Sequence, residues 1–385
     1  MLRRDFLKAL GYIPLLTGMP ELAIAGTAGY QYQNLLILVE FKGGNDGLNT
    51  VIPYADDNYY RLRPRIALAR DQILQLDEHT GLHPSLQGML PLWQAGEVAI
   101  VQGVGYPDPN LSHFRSIEIW DTASASNEYL NKGWLSQTFS QFPPPARFAA
   151  EGVSLGSEDL GPLAGGARAI VLNNADQFTR IAKLADDPAL HTGNASLDRI
   201  LGIESDIRHA ASRIDGRYSF RTEFPATPFG KTLHTAAEVI ANRSGVAVVR
   251  ISLNGFDTHA NQPATQAHLL KQFADGMAAL KSALTELDRW NSSLIMTYSE
   301  FGRRPQDNDG NGTDHGTAAA HFVMGGRVRG GLYGQAPGLD QLENGNLVHT
   351  VDFRSLYLAA AEKWWRLPAK KLMGGHFNSL NIIRT

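Results

Sequence analysis

The chain has 385 residues, of which 43% are hydrophobic and 19% charged, a composition typical of a folded protein rather than a disordered or fibrous one. Its formal net charge is −3, so it lacks the basic excess that binding to nucleic-acid phosphates requires, and we expect no nucleic-acid partner. It contains no cysteine, which excludes disulfides, thiolate metal ligands and cysteine nucleophiles.

The first 25 residues have the pattern of an export signal. Arg3 and Arg4 precede an apolar run over 9–16, and the Ala-Ile-Ala of 23–25 places small residues where a signal peptidase cleaves. The run is interrupted by Pro14 and is shorter than the roughly 20 residues that span a membrane. This predicts a twin-arginine signal peptide, export of the folded protein to the periplasm or exterior, and no membrane span in the mature chain. The alternative is a short buried helix.

Short apolar runs rich in β-branched residues predict buried strands at 34–41, 98–104, 246–253 and 293–298. Helical periodicity separates these strands and is clearest over 84–94 and 262–290. Near-continuous apolar strands alternating with helices are typical of a parallel sheet covered on both faces. The sequence therefore predicts an α/β fold with a doubly wound, mostly parallel sheet.

Residues 26–385 are expected to form a single domain, because no repeat, charge block or low-complexity tract divides them. The span from about 176 to 243 has a mostly helical pattern and few candidate catalytic groups. It predicts a helical layer rather than a second catalytic domain. The proline-rich 143–145 and the glycine-rich 161–166 are predicted loops.

Carboxylates and imidazoles follow the predicted strands at the points where the strands end. In an open parallel sheet, ligands bind beyond the carboxyl ends of the strands, so residues distant in sequence meet there. The candidate metal ligands are Asp46, Asp257, His259, Glu300, Asp314 and His315. Such oxygen and imidazole donors bind divalent cations, and we expect one or two ions of zinc, manganese, magnesium or calcium.

Each candidate ligand also has a purely structural interpretation. Asp46 lies among glycines in a string typical of turns, and Asp257 could cap a helix beside a surface histidine. Glu300 could pair on the surface with Arg303 or Arg304. What favours the metal site is that all these groups fall where a predicted strand ends.

Ser112 is the candidate nucleophile. It directly precedes a helical pattern over 114–120, which predicts an N-cap beside free backbone N–H groups and the positive end of the helix dipole. That position favours a phosphate group, and a nearby divalent cation would lower the pKa of the hydroxyl. Arg115, in the first turn, is expected to bind non-bridging oxygens. The alternative is that Ser112 only caps the helix.

A second serine lies in a match to the esterase motif G-x-S-x-G at 152–156. That motif needs a helix directly after the serine turn, whereas residues 157–162 are loop-like. We interpret the match as accidental. A serine esterase that uses Ser154 with Asp257 and His315 is the third functional hypothesis.

The order of these motifs resembles the bacterial family called domain of unknown function 1501. The matching segments, GGNDGLN, PNLSHFRS, FDTH, SEFGRR, GTDHGTAA and DFRSLY, span nearly all of the chain after residue 35. That family resembles a branch of the alkaline phosphatase superfamily, which includes phosphatases, sulfatases and phosphomutases. The resemblance implies an alkaline phosphatase-like α/β fold.

The resemblance also implies roles by position. Ser112 resembles the superfamily's nucleophile. The residues that resemble its metal ligands are Asp46, Asp257, His259 and His315. Two departures stand out: the aspartate–histidine spacing at 257–259 is tighter than usual, and Glu300 lacks a paired histidine. The absence of cysteine and of a C/S-x-P-x-R segment around Ser112 argues against type I sulfatase chemistry.

Together these features predict an exported, metal-dependent hydrolase of phosphate esters or related anionic esters, with a serine nucleophile. Its expected partners are a small anionic ester and the twin-arginine export machinery. The incomplete ligand set motivates the alternative, a non-catalytic binding or assembly protein on the same scaffold.

Overall fold

A nine-stranded sheet lies at the centre of the protein. The computed structural model describes residues 29–172, 218–242, 245–374 and 376–384. The predicted signal peptide over 1–25 lies outside these residues, as does most of the predicted helical layer over 176–243. The described part of that layer contains one helix, Pro228–Ala241.

The described strands are numbered in chain order. They are β1 (Leu35–Lys42), β2 (Val51–Ile52), β3 (Leu74–Gln75), β4 (Gly81–Leu82), β5 (Val98–Gly105), β6 (Gly152–Leu155), β7 (Ala169–Val171), β8 (Val248–Asn254), β9 (Ser293–Tyr298), β10 (Arg303–Asp307), β11 (Thr313–His315), β12 (Ala319–Met324), β13 (Gly331–Tyr333) and β14 (Val351–Asp352).

The described α-helices are numbered in the same way. They are α1 (Gly47–Thr50), α2 (Asp57–Leu62), α3 (Leu90–Gln94), α4 (His113–Thr122), α5 (Trp134–Gln141), α6 (Pro228–Ala241), α7 (Gln262–Glu286) and α8 (Arg354–Leu358). A π-helical segment, Ala359–Trp364, follows α8. Short 3₁₀ helices lie at Arg70–Gln72, Pro84–Met89, Gly161–Leu163, Trp290–Ser292 and Ala369–Met373.

The central sheet is mostly parallel, as the sequence predicts. Its order is β13-β5-β12-β9-β1-β8-β6-β7, and β14 also pairs with β5. Every pair is parallel except those of β12, which runs antiparallel to β5 and β9. Because β12 is reversed, the residues that precede it lie at the edge where the neighbouring strands end.

Helices cover both faces of the sheet, which confirms the predicted doubly wound α/β fold. Ile37, Val39 and Phe41 of β1 belong to a core that also contains apolar residues of α6 and α7. Successive strand residues point to opposite faces, so Glu40 lies on the other side. There Trp120 of α4 contacts Tyr298 of β9.

Two predicted helices differ from the observed ones. The segment 84–94 is a 3₁₀ helix followed by α3, with a non-helical backbone at Leu86. Pro91 explains why one helix does not run through the segment, because proline has no N–H to donate within a helix, whereas Pro84 stands at the first helical position, where proline is tolerated. The helix predicted over 262–290 ends at Glu286. No helix of the described residues is long and apolar enough to cross a membrane.

A buried histidine in the sheet makes stability depend on pH. His321 of β12 contacts Trp120 and Thr297, and burial lowers its pKa from the ordinary 6.5 to about 3. The folded protein keeps this ring neutral, whereas the unfolded chain binds a proton below about pH 6.5. Stability is therefore lost as the pH falls from 6.5 towards 3. We predict a loss of about 3 kcal/mol between pH 6.5 and 4 from this residue.

Urea unfolding of the wild type and of His321→Leu over that pH range measures the effect. The variant should lack this part of the pH dependence, and His268→Leu, which removes an exposed histidine of α7, should retain it. Equal pH dependence in the wild type and His321→Leu would contradict the prediction.

Candidate metal centre

Five segments of the chain meet at the carboxyl edge of the sheet. The loops after β1, β8 and β9 begin there, because these three strands are adjacent and parallel. The start of α4 follows β5, which lies near them in the same direction. The hairpin of β10 and β11 leads into β12, whose beginning lies at this edge.

Three imidazoles surround one carboxylate oxygen at this edge. Oδ1 of Asp257 lies 3.1 Å from Nε2 of His259, 3.4 Å from Nε2 of His113 and 3.5 Å from Nε2 of His315. The Nε2 atoms of His259 and His315 are 2.9 Å apart. Two ligand atoms bound at ~2.1 Å to one ion lie roughly 3–3.5 Å from each other. These separations therefore suit ligands of a common metal ion.

Among the described residues, His113, Asp257 and His315 form a group that could hold a metal ion, with ligand atoms that all lie within 4.8 Å of one another. His259 adds a fourth side chain through its contacts with Asp257 and His315. Imidazole nitrogens combined with one carboxylate are a donor set that binds zinc and related divalent ions.

The far nitrogens of two imidazoles face oxygens that fix their orientation. Nδ1 of His113 is 2.8 Å from Oε1 of Glu300, and Nδ1 of His315 is 2.7 Å from the carbonyl oxygen of Leu111. A proton on Nδ1 donates these bonds and leaves the Nε2 lone pair directed at the centre. Glu300, a predicted ligand, therefore acts here as a hydrogen-bond acceptor behind His113.

Asp314 has a similar position behind His259. Its Oδ1 lies 3.6 Å from Nδ1 of His259, an ion-pair distance longer than a hydrogen bond. Asn308 donates to this Asp314 oxygen (3.2 Å) and to the His259 carbonyl (3.0 Å). Asp314 is therefore placed to orient His259 from outside the group of ligand atoms.

His113 is absent from the sequence candidates although it lies in the segment that contains Ser112. Its Nε2 atom is buried and makes no hydrogen bond, which is unusual for a buried ring nitrogen. A metal ion would provide the missing partner. The sequence did carry a signal for this residue, because His113 follows the end of a strand just as Asp257 and Glu300 do.

The protonation states expected at this centre differ between its residues. The hydrogen bond to Glu300 raises the pKa of His113, although burial of the ring opposes this. Burial lowers the pKa of His315. Partial burial raises the pKa of Asp257, but the hydrogen bond and charge of Arg303 outweigh it and place the pKa below its usual range. An ionised Asp257 and a neutral His315 are the forms that bind metals.

Arg303 connects the loops that carry the centre. Its buried guanidinium donates hydrogen bonds to backbone carbonyls of three segments, those of Gly43, Gly44, Phe256 and Thr313. It also donates to Oδ1 of Asp257 at 2.7 Å. The surface pair of Glu300 with Arg303 considered from sequence is thus replaced by a pair of the buried Arg303 with the half-exposed Asp257.

Gly43 allows the loops after β1 and β8 to approach closely. Its φ is +119°, and a Cβ at this position would lie 2.3 Å from the backbone nitrogen of Asp257. Its N–H donates to Oε1 of Glu300 at 2.9 Å. Only glycine satisfies both the backbone conformation and this contact.

Ser112 lies at the N-cap position of α4, where its hydroxyl makes no capping hydrogen bond. The side chain is exposed. Both of its neighbours contact the centre, because the carbonyl of Leu111 bonds to His315 and the next residue is His113. These contacts hold Ser112 beside the imidazoles with its hydroxyl accessible to solvent.

Asp46 lies outside this group. Its carboxylate accepts a hydrogen bond from the N–H of Leu48 (3.1 Å) and caps α1. It pairs with both Nη atoms of Arg63, at 2.6 and 2.9 Å, and accepts from Gln262. Both ion-pair side chains are fully buried. The structure therefore does not bring Asp46 to the point where Asp257, His259 and His315 meet.

Arg115 is also engaged elsewhere. Its guanidinium donates to the carbonyls of Ser126 (3.0 Å) and Glu128 (2.5 Å), pairs with Glu118 at 2.9 Å and packs on the ring of Tyr129. In this arrangement it anchors the loop after α4. Binding of substrate oxygens by Arg115 stays a prediction that would require these contacts to break.

Ser154 does not have the geometry of an esterase nucleophile. It lies within β6 and is completely buried. Its hydroxyl donates to the carbonyl of Asp159 (2.9 Å) and accepts from Arg250 (3.1 Å). A nucleophile elbow would instead expose the serine at a turn between strand and helix.

Comparisons with known proteins give a family and several similar folds. A family model described as "Protein of unknown function (DUF1501)" matches residues 93–371, so the chain belongs to this family. A search among curated proteins finds no match.

Three solved structures illustrate the similar folds. Ps i-CgsB in complex with k-i-k-neocarrahexaose is 10% identical, with 89% of this chain and 74% of that chain covered and a TM-score of 0.43. The C-terminal periplasmic domain of EcEptC from Escherichia coli, in complex with Zn, is 8% identical, with 78% and 74% covered and a TM-score of 0.37. Alkaline phosphatase from the Antarctic bacterium TAB5 is 11% identical, with 78% and 94% covered and a TM-score of 0.34.

We predict that Asp46→Asn weakens the fold without affecting metal binding. The variant leaves Arg63 as a buried charge without its carboxylate, which should lower the free energy of unfolding by about 3 kcal/mol. Zinc stoichiometry should stay the same, because Asp46 makes no contact with the centre. Urea unfolding and elemental analysis of zinc-loaded protein measure both effects.

Asp257→Asn is the matched control, and it should reduce zinc content. Loss of zinc from Asp46→Asn with unchanged stability would contradict the assignment of Asp46 to a structural ion pair.

Proposed function

We propose that this member of the DUF1501 family is an exported, divalent-metal-dependent hydrolase of phosphate esters or related anionic esters. One observation supports the proposal most: the Nε2 atoms of His113, His259 and His315 all lie within 3.5 Å of the same Asp257 oxygen. Without a cation, three imidazoles would be crowded around a single acceptor. With a bound cation, each imidazole provides the lone pair of its Nε2 atom to the ion.

His113, Asp257 and His315 would hold the ion, with His259 as a further ligand. When bound, the ion supplies positive charge that lowers the pKa of a nearby hydroxyl and offsets the charge that develops on the substrate. Imidazole-rich donors favour zinc, whereas manganese and magnesium depend more on the carboxylate.

The open cleft beside the centre explains why such charge is needed. Its lining includes the carboxylates of Glu158, Asp159, Asp257 and Glu300, against the single ammonium of Lys42. An anionic ester would be repelled by this surface. Binding of a divalent cation makes the cleft compatible with an anionic substrate.

Ser112 is the proposed nucleophile. Its Oγ forms a bond to phosphorus, the bond from phosphorus to the leaving oxygen breaks, and the hydroxyl proton ends on the leaving alcohol. Water then cleaves the phosphoserine, which restores the hydroxyl and releases phosphate. Free backbone N–H groups in the first turn of α4 would bind the phosphoryl oxygens during both steps.

Other residues of the centre act by positioning. Glu300 holds the ring of His113 through the 2.8 Å contact to Nδ1, and Arg303 holds Asp257. Both contacts fix these side chains through other residues of the protein, which reduces the reorientation needed when an ester binds.

Export by the twin-arginine route is part of the proposal. It rests on Arg3, Arg4 and the apolar run that follows them, all outside the described residues. The proposed partners are the export machinery and a small anionic ester, in the periplasm or outside the cell.

A non-catalytic binding or assembly protein is the second candidate. It is favoured by the bond from Arg303 to Asp257, which satisfies one ligand oxygen without a metal, and by the engagement of Asp46 and Arg115 elsewhere. Elemental analysis separates the candidates. Absence of stoichiometric metal, with no thermal shift on adding zinc, manganese or magnesium, would favour the binding protein.

We predict that hydrolysis depends on the Ser112 hydroxyl. Protein loaded separately with zinc, manganese or magnesium is assayed on aryl phosphate monoesters and diesters. Ser112→Ala should lower kcat by at least about 1,000-fold, the order seen when a nucleophile is removed, with unchanged metal content.

Ser282→Ala, which removes a hydroxyl bonded to a carbonyl within α7, is the control and should retain full activity. Activity unaffected by Ser112→Ala would remove the nucleophile assignment. Covalent labelling of Ser154 by a fluorophosphonate would favour the esterase instead.

A further inference from the structure

The open cleft beside the candidate metal centre, which Lys42, Asp257 and Glu300 help to line, is called the strand-end cleft here. A second cavity adjoins it on the face of the sheet that carries α4. Its lining includes the carboxylates of Glu40, Glu118, Asp121 and Asp159. Lys42 and Asp159 line both this cavity and the strand-end cleft. The two therefore share these two side chains, and the rest of the lining differs.

Glu40 of β1 lines this cavity and has one carboxylate oxygen without a partner. The residue is fully buried. Its Oε2 accepts hydrogen bonds from Nη2 of Arg250 (2.8 Å) and from the hydroxyl of Ser252. Its Oε1 is buried and has no hydrogen-bond partner.

Asp121 of α4, which also lines the cavity, has a second carboxylate oxygen without a partner. Its Oδ1 is also buried without a hydrogen-bond partner. Asp159 differs, because its carboxylate pairs with Arg250 at 2.8 Å and is about half exposed. The two carboxylate oxygens without partners thus belong to Glu40 on β1 and Asp121 on α4.

Leaving two buried carboxylate oxygens unpaired is costly. An unsatisfied buried acceptor destabilises the fold, and a buried charge does so more strongly. Burial raises the pKa of both carboxyls, that of Glu40 in spite of Arg250. Of the four carboxyl groups that line the cavity, Glu118 pairs with Arg115, and Arg250 pairs with Asp159 and with one oxygen of Glu40. A cation would supply the partner that the remaining oxygens of Glu40 and Asp121 lack.

We propose that this cavity is a second cation site, which binds a hard divalent ion such as Mg²⁺ or Ca²⁺ through Oε1 of Glu40 and Oδ1 of Asp121. Both protein donors are oxygens, whereas the first centre is rich in imidazole. Oxygen donors select magnesium and calcium rather than zinc. Water completes the coordination, as is usual for magnesium.

The ion would connect β1, which leads into the loop of Gly43, with α4, whose N-cap residue is Ser112. It would thereby fix α4 on the sheet at the end of the helix opposite to His113. This site does not depend on the proposed hydrolase function, and its test requires no substrate.

The experiment is a calorimetric titration of chelator-treated, full-length protein with Mg²⁺ and with Ca²⁺. We expect one ion per chain at this site, also in His315→Ala, in which the first centre is disrupted. Asp121→Asn should lower the affinity for the ion at least about tenfold. A loss of this size already follows when only a residue that hydrogen-bonds to a metal ligand is removed, and Asp121 would itself be a ligand. The substitution should also abolish the rise in Tm that the ion causes.

Glu118→Gln is the matched control. Glu118 lies one turn before Asp121 on α4 and also lines the cavity, but its carboxylate is already engaged, in an ion pair with Arg115 at 2.9 Å. This variant should bind the ion like the wild type. Glu40→Gln removes a partner of the buried Arg250 and is expected to destabilise the fold, so Asp121→Asn is the deciding variant.

Two results would overturn the proposal. One is absence of Mg²⁺ and Ca²⁺ binding at millimolar concentrations, in which case protons neutralise the two carboxyls. The other is an affinity that Asp121→Asn leaves unchanged, which would place the bound ion elsewhere.

Discussion

The candidate metal centre depends on the buried guanidinium of Arg303. Removing such a charge from water costs several kcal/mol unless its donors are bonded. Backbone carbonyls after β1, after β8 and on β11 satisfy these donors, together with Asp257. Separating these loops would leave a buried charge unpaired, so the loops and the carboxylate stay together. The imidazoles then meet around an oxygen whose position is already fixed.

Local patterns were sufficient to predict most of the fold. The apolar runs that became β1, β5, β8 and β9 are buried on both faces, and such runs are recognisable without knowing their partners. The direction of β12 was not predictable, because an apolar run reads the same in either orientation. Yet this reversal is what brings His315 to the edge where Asp257 lies.

The site was predicted less completely than the fold. Asp257, His259 and His315 meet because the strand-end rule depends only on strand order. Asp46 obeys the same rule but pairs with Arg63, and no sequence pattern reveals which buried charge a carboxylate will find. The hydrogen bonds from the Nδ1 atoms of the imidazoles to Glu300 and to the carbonyl of Leu111 depend on how each ring is oriented. That orientation arises only from tertiary packing.

The central claim is that three imidazoles and one carboxylate bind a common ion. X-ray absorption spectroscopy of zinc-loaded protein tests it directly, with His113→Ala beside the wild type and His268→Ala as a control. The account predicts imidazole nitrogens at ~2.0–2.1 Å, one fewer of them in His113→Ala, and no change in the control. Failure to retain zinc, or an identical spectrum after His113→Ala, would contradict it.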